Sequence, residues 1–162
     1  MRNPLVSVVM GGQSDLEVVK ETLRALKGLN IKFEAKVLSA HRTPKELTAY
    51  VGGCSKRGVK VFIAAAGGAA ALAGVIAAHT TLPVIGIPVE TRSLKGLDSL
   101  LSTVQMPAGV AVASMAIGRA GAKNAALFAA AILALGDRRI ARGLAALREQ
   151  SRLKIKKIKV RI

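Results

Sequence analysis

The sequence predicts a three-layer α/β fold, an open, doubly wound parallel sheet covered by helices on both faces. Two patterns lead there. Five short apolar runs, at 5–10, 31–38, 59–64, 82–87 and 110–116, alternate with segments of helical character. The first run is apolar at nearly every position and rich in β-branched residues, as a strand buried on both faces is. The length, 162 residues, fits one domain with one sizeable core.

Each element has a local reason. Leu5-Val6-Ser7-Val8-Val9-Met10 forms the first strand and ends in Gly11-Gly12-Gln13-Ser14-Asp15. From there Leu16, Val19, Leu23 and Leu26 recur at helical spacing, and Gly28 stands where a C-cap belongs. Ile31 to Leu38 is the second strand, followed by Ser39-Ala40-His41-Arg42-Thr43-Pro44. Pro44 suits a first helical position and Thr43 an N-cap, opening a helix to about Arg57. Val59 to Ala64 is the third strand; the small residues Ala65 to Gly74 follow and lead into a helix ending about His79. Leu82 to Ile87 is the fourth strand, Pro88 to Leu94 a loop, and Gly96 to Val104 a short helix. Gln105-Met106-Pro107-Ala108-Gly109 is a rigid turn before the fifth strand, Val110 to Ala116. An alanine-rich helix, Ala120 to Leu135, and a last helix, Arg138 to Leu153, complete the chain. Residues 1–136 form the expected catalytic domain, and 137–162 a C-terminal helix with a basic tail.

Composition narrows the function classes. Aromatics are 2% of the chain, too few for a base-stacking platform. No apolar run reaches transmembrane length uninterrupted, and Met1-Arg2-Asn3-Pro4 enters a strand-like run, so a soluble cytoplasmic protein is expected. Cys54 is the single cysteine; it can form no internal disulfide, and no cluster has metal-ligand spacing. The formal charge is +16, and half of it falls in 137–162, with ten basic and two acidic residues. The remainder is spread along the chain, where it draws in small anions without requiring nucleic acid.

Five strands in this alternation fit the flavodoxin-like order 2-1-3-4-5, whose ligands sit beyond the carboxyl ends of the strands between strands 1 and 3. That rule brings together residues 11–15, 39–44 and 65–74. The first loop opens a helix, so its backbone N–H groups and helix dipole favour phosphate, with Ser14 able to donate to it. Asp15 would repel phosphate and is assigned to sugar hydroxyls. His41 can exchange protons near neutral pH, and Arg42 offers a fork of donors to an anion. Gly67-Gly68 and their neighbours permit close approach of a ligand or tight packing. His79 reads as a helix C-terminal histidine, and Pro88, Ser93, Lys95, Asp98 and Ser99 as turn chemistry.

The runs GGQSD at 11–15, SAHRTP at 39–44, AAGGAA at 65–70, LPVIGIPV at 82–89, LKGLDSLLSTVQMPAGVAVA at 94–113 and AIGRAGAKNAALFAAAIL at 116–133 resemble those of a purine-biosynthesis family. It is the family of 5-(carboxyamino)imidazole ribonucleotide mutases, related to the carboxylases of phosphoribosylaminoimidazole. The resemblance implies a homo-octamer acting without metal or organic cofactor on a small anionic ribonucleotide. The reaction it implies moves a carboxylate from the exocyclic nitrogen to ring carbon 4. Carried over by position, His41 is the general acid/base and Arg42 the anion-binding arginine. The substrate would contact Gly11, Gly12, Gln13, Ser14 and Asp15 in the first loop, Ser39 and Ala40 in the second, and Ala66, Gly67, Gly68, Ala69, Ala70, Ala71 and Leu72 in the third.

Three features depart from the family pattern. Gly12 stands where a serine is expected, Ala71 where a second histidine would be, and Ala73 where a proline would be. The related carboxylases, which use free CO2, resemble SAHK in the second loop and carry arginine and serine at the positions of Gly68 and Ala69. Here Arg42, Gly68 and Ala69 follow the mutases. The carboxylase and a non-catalytic nucleotide-binding relative remain the alternatives. The tail Arg152 to Ile162 alternates basic and apolar residues and is matched by no family motif. It is expected to pack on a neighbouring subunit, with neither membrane nor nucleic acid as partner.

Overall fold

The structure is a computed structural model and describes residues 3–159. Met1 and Arg2, at the entry to the first strand, and Val160 to Ile162 of the basic tail lie outside the described residues. In chain order the elements are β1 (Val6–Met10), α1 (Leu16–Gly28), β2 (Phe33–Val37), α2 (Pro44–Cys54), β3 (Val61–Gly67), α3 (Leu72–Ala78), β4 (Val84–Val89), α4 (Leu97–Val104), β5 (Ala113–Ser114), α5 (Gly118–Ala134) and α6 (Arg138–Lys156). One parallel sheet runs β2-β1-β3-β4-β5, the order expected from the sequence.

Alternation along the central strands feeds two cores. Val6, Val8 and Met10, with Ile63, Ala65, Ile85 and Ile87, pack under α1, α5 and the start of α6. Val9, Phe62, Ala64 and Val84 face Leu47 and Val51 of α2 and Leu72 and Ile76 of α3. The alanines of α5, Ala122, Ala125, Ala126 and Ala129, are fully buried, so this helix lies close to the sheet. At Gly121 a Cβ would come within 1.6 Å of the Ala116 carbonyl oxygen, so only glycine admits this approach.

Two strands extend beyond their expected ends. β3 begins at Val61, two residues later than expected, and runs on to Gly67, three past Ala64; β4 continues through Pro88 to Val89. Pairing explains this: Ala66 lies opposite Pro88 and Gly67 opposite Val89, so neighbouring backbone sustains both. The fifth strand is two residues long instead of seven. Met115 N–H donates to the Gly86 carbonyl, so the even-numbered residues of β4 face β5. Pro88 has that orientation and no N–H, which ends the ladder. At the other end of the sheet, β2 is an edge strand, with Val37 exposed. Gly28 is the last residue of α1, and Asn30, at φ 53°, makes the left-handed turn expected of it.

A polar network ties α2 to the sheet. Tyr50 Oη donates to Glu34 Oε1 at 2.7 Å, leaving the Ser7 hydroxyl to donate to Tyr50 at 2.7 Å. Arg57 donates to the same Glu34 oxygen at 2.9 Å and lies 5.0 Å from the centre of the Tyr50 ring. Arg57 also reaches the Sγ of Cys54, which is buried at the end of α2. Burial alone would raise the Glu34 carboxyl, but the bonds from Tyr50 and Arg57 outweigh it and hold the group below its ordinary value.

Tyr50→Phe removes the hydroxyl shared by Ser7 and Glu34 and is expected to lower unfolding free energy by about 1–3 kcal/mol in urea titration. An unchanged midpoint would mean that the network adds nothing. Because Glu34 is held below its unfolded-state pKa, its contribution is present above about pH 4.3 and is lost as pH falls through the folded value. The stability gap between wild type and Glu34→Gln therefore narrows on acidification.

Candidate functional site

At the carboxyl ends of β1, β3 and β4 lies a cavity of about 500 Å³. The first loop enters it from β1. Gly11 N–H donates to the Ala65 carbonyl at 3.0 Å, fixing the loop against β3. A 3-10 turn, Gln13–Asp15, then leads into α1. Asp15 folds back, its Oδ2 accepting from Gly12 N–H at 3.0 Å and its Oδ1 from Ser14 Oγ at 3.4 Å. The amides of Gly11 and Gly12 are thus committed inside the protein, and those of Gln13 and Ser14 are the amides of the turn left over from these two bonds. Only 7% of Asp15 is exposed. Burial pushes its carboxyl above the ordinary value, against the hydrogen bonds from Gly12 and Ser14.

The second loop is a tight knot on Ser39. Thr43 Oγ1 accepts from Ser39 N–H at 2.8 Å and donates to the Ser39 carbonyl at 3.1 Å. Thr43 therefore stands at the N-cap position of α2 while its hydroxyl closes the loop instead of capping the helix. Ser39 Oγ accepts from the Arg42 N–H at 3.1 Å. Arg42 reaches across to the first loop and donates to the Gly11 carbonyl at 2.9 Å. A Cβ at Gly12 would lie 3.3 Å from this guanidinium, so the glycine expected to be serine gives Arg42 its room. His41 is exposed at the apex of the loop and lines the cavity.

The third loop continues β3. Ala66, Gly67, Ala69, Ala71 and Leu72 line the cavity, and Gly68, at φ 71°, turns the chain toward α3. The cavity also gathers Gly11, Gly12, Ser14, Asp15, Ser39, Ala40, His41 and Arg42. Three candidates do not line it: Gln13 is exposed, Ala70 is buried, and Gly68 acts through its backbone. Val89, Glu90 and Thr91 also line it and were not among the candidates. The same rule that selects carboxyl ends of strands applies to β4, but its true end was hidden behind Pro88.

Other residues read from the sequence lie elsewhere. His79 Nδ1 is 2.8 Å from the Val75 carbonyl at the end of α3. Ser93 and Lys95 are exposed, and the Thr91 hydroxyl shares its proton between the two carboxylate oxygens of Asp98, at 2.8 and 2.9 Å. Among the described residues no three of His, Cys, Asp and Glu converge as metal ligands, and no helix is long and apolar enough to cross a membrane.

A doubly wound sheet with a histidine and an arginine beside a helix-opening turn at its switch point defines the class, an α/β protein whose loops meet where ligands of such sheets bind. Residues 5–154 match the model of the AIR carboxylase family, and the chain belongs to that family. A Bacillus subtilis protein named N5-carboxyaminoimidazole ribonucleotide mutase is 53% identical over 149 residues, 92% of each chain. A Brucella melitensis protein of the same name is 55% identical over 136 residues, 84% of each chain. The crystal structure of Treponema denticola PurE matches with a TM-score of 0.87 at 29% identity, over 95% of each chain.

Because the folded pKa of Asp15 lies above that of the unfolded chain, its ionisation costs stability as pH rises through that interval. Asp15→Asn keeps an acceptor for Gly12 N–H and escapes that cost. Its melting temperature at pH 7 is expected to equal or exceed that of wild type in scanning calorimetry; a clear fall would contradict the assignment of burial as the dominant influence.

Proposed function

We propose that the protein is an isomerase of purine biosynthesis that converts N5-carboxyaminoimidazole ribonucleotide to the 4-carboxylated isomer. The observation that carries this reading is the cavity itself, with His41 and Arg42 facing the first loop, in a chain at least 53% identical to two proteins named for that activity. In this reading the phosphate lies against the turn at Gln13–Ser14 and the Arg42 guanidinium, and Asp15 faces the ribose. The imidazole and the migrating carboxylate lie against Ala66, Gly67, Ala69 and Ala71.

Substrate and product are isomers, so every proton taken must be returned. The carbamate C–N bond breaks and releases CO2, and the nitrogen gains a proton. Ring carbon 4 then attacks CO2, and the carbon gives up its proton. One imidazole, His41, serves both transfers, which suits a group whose ordinary pKa is near neutrality. Small apolar walls keep water from CO2 between the two steps. Ala71, which lines the cavity at the position of a family histidine, favours CO2-dependent carboxylation as the second reading.

Assembly and location belong to the same proposal. Leu97, Leu101 and Val104 are each about half exposed on one face of α4, and Leu94 beside them is too, a stripe suited to burial between copies in a cytoplasmic homo-octamer. Leu153, Ile155 and Ile158 are exposed at the end of α6 and just beyond it, which supports packing of the tail on a neighbouring subunit.

His41→Asn is expected to reduce kcat for the carbamate by about 10²- to 10⁴-fold while nucleotide affinity changes little, as read by steady-state kinetics and calorimetric titration. Undiminished turnover would remove His41 from the chemistry. Leu97→Glu with Leu101→Glu should shift the mass measured by light scattering to a smaller species; an unchanged mass would place the interface elsewhere.

A further inference from the structure

Helix α4 does not line the cavity, yet its first turns grip the loop that does. Ser99 is fully buried, and its hydroxyl donates to the Val89 carbonyl at 2.6 Å while accepting from Gly68 N–H at 2.9 Å. Ser102, one turn on, gives its one hydroxyl proton mainly to the Asp98 carbonyl at 2.8 Å, with the Gly68 carbonyl a longer second branch at 3.3 Å. Gly68 is the residue at φ 71° on which the third loop turns from β3 into α3. The N–H of this one residue is therefore held by α4, while its carbonyl accepts from Ala70 N–H at 2.8 Å and is touched by α4 only through the longer Ser102 branch; the Val89 end of β4 is held by the Ser99 hydroxyl. Asp98 completes the arrangement by holding Thr91, whose Cγ2 would lie 3.6 Å from a Cβ on Gly67.

We infer that Ser99, seconded by Ser102, is a positioning residue that clamps the Gly68 turn and so sets the small-residue wall against which the released CO2 is kept. This rests on the mutase reading. Neither serine reaches the cavity, so they act through Gly68, Ala69 and Ala71 and leave the phosphate side of the site alone. A loosened wall admits water and lets CO2 escape before carbon 4 captures it.

The test supplies carbamate labelled with 13C at its carboxyl carbon, in excess unlabelled bicarbonate, to wild type, Ser99→Ala and Ser102→Ala. Wild type is expected to keep most of the label in the product carboxylate. Ser99→Ala should lose about 10- to 100-fold in kcat, keep its KM within a few-fold and release a larger share of the label to solution. Ser102→Ala removes an exposed hydroxyl, cannot compromise folding in the same way, and should show a smaller change in the same direction. Amide exchange at Gly68 should quicken by about fivefold or more in Ser99→Ala, which loses the acceptor of that N–H, and by less in Ser102→Ala. If both variants lower stability or rate but keep the wild-type share of label, the serines are merely structural and the inference fails. If wild type does not turn over the carbamate, the mutase reading and the role in retaining CO2 fail together, and Gly68 exchange then decides the clamp alone.

Discussion

Parallel pairing of β3 with β1 on one side and β4 on the other positions every loop that meets in the cavity. The bond from Gly11 N–H to the Ala65 carbonyl continues the β1–β3 ladder by one step past the last residue of β1. It brings the first loop against the third. The pairs Ala66–Pro88 and Gly67–Val89 do the same for β4. Since residues 64–71 are all Ala or Gly, the backbone itself forms the wall, and a ligand can approach it closely. Helices α4 and α2 then hold the outer loops, one through Ser99 and the other by following directly on the Ser39–Thr43 knot.

Much of this was legible in the sequence because it depends on local chemistry. Gly11-Gly12 before an amphipathic helix marks a turn, Pro44 marks a helix start, and buried strands show as unbroken apolar runs. What escaped depends on neighbours. Whether Ala65 to Gly67 extends a strand is decided by what β4 offers opposite, and where β5 stops by a missing N–H at Pro88. Glu90 and Thr91 were hidden for the same reason: a proline that usually ends a strand here lies within one. The burial of Asp15 was also beyond the sequence, because the loop bends back to satisfy Gly12. The acid read as a sugar ligand is first of all a strut of its own loop.

The site also shows how a chain of net charge +16 can shape a local field of mixed sign. Arg42 and His41 face a cavity that also contains Asp15 and Glu90. The guanidinium is anchored by a backbone carbonyl, not by a carboxylate, so its charge stays available to an incoming anion. The distributed excess of lysine and arginine steers an anion toward the protein, while the fixed groups decide where it stops. This division suits a substrate that carries a phosphate and a carboxylate at opposite ends and must be held by one while the other moves.

The central claim is that this cavity isomerises a carbamate and does not simply fix dissolved CO2. The most direct measurement compares initial rates of 4-carboxylated product formation by the purified protein from the carbamate, and from aminoimidazole ribonucleotide with bicarbonate at the same nucleotide concentration. The account predicts rapid product formation from the carbamate and slow formation from the bicarbonate mixture. Rapid formation from bicarbonate with none from the carbamate would contradict it.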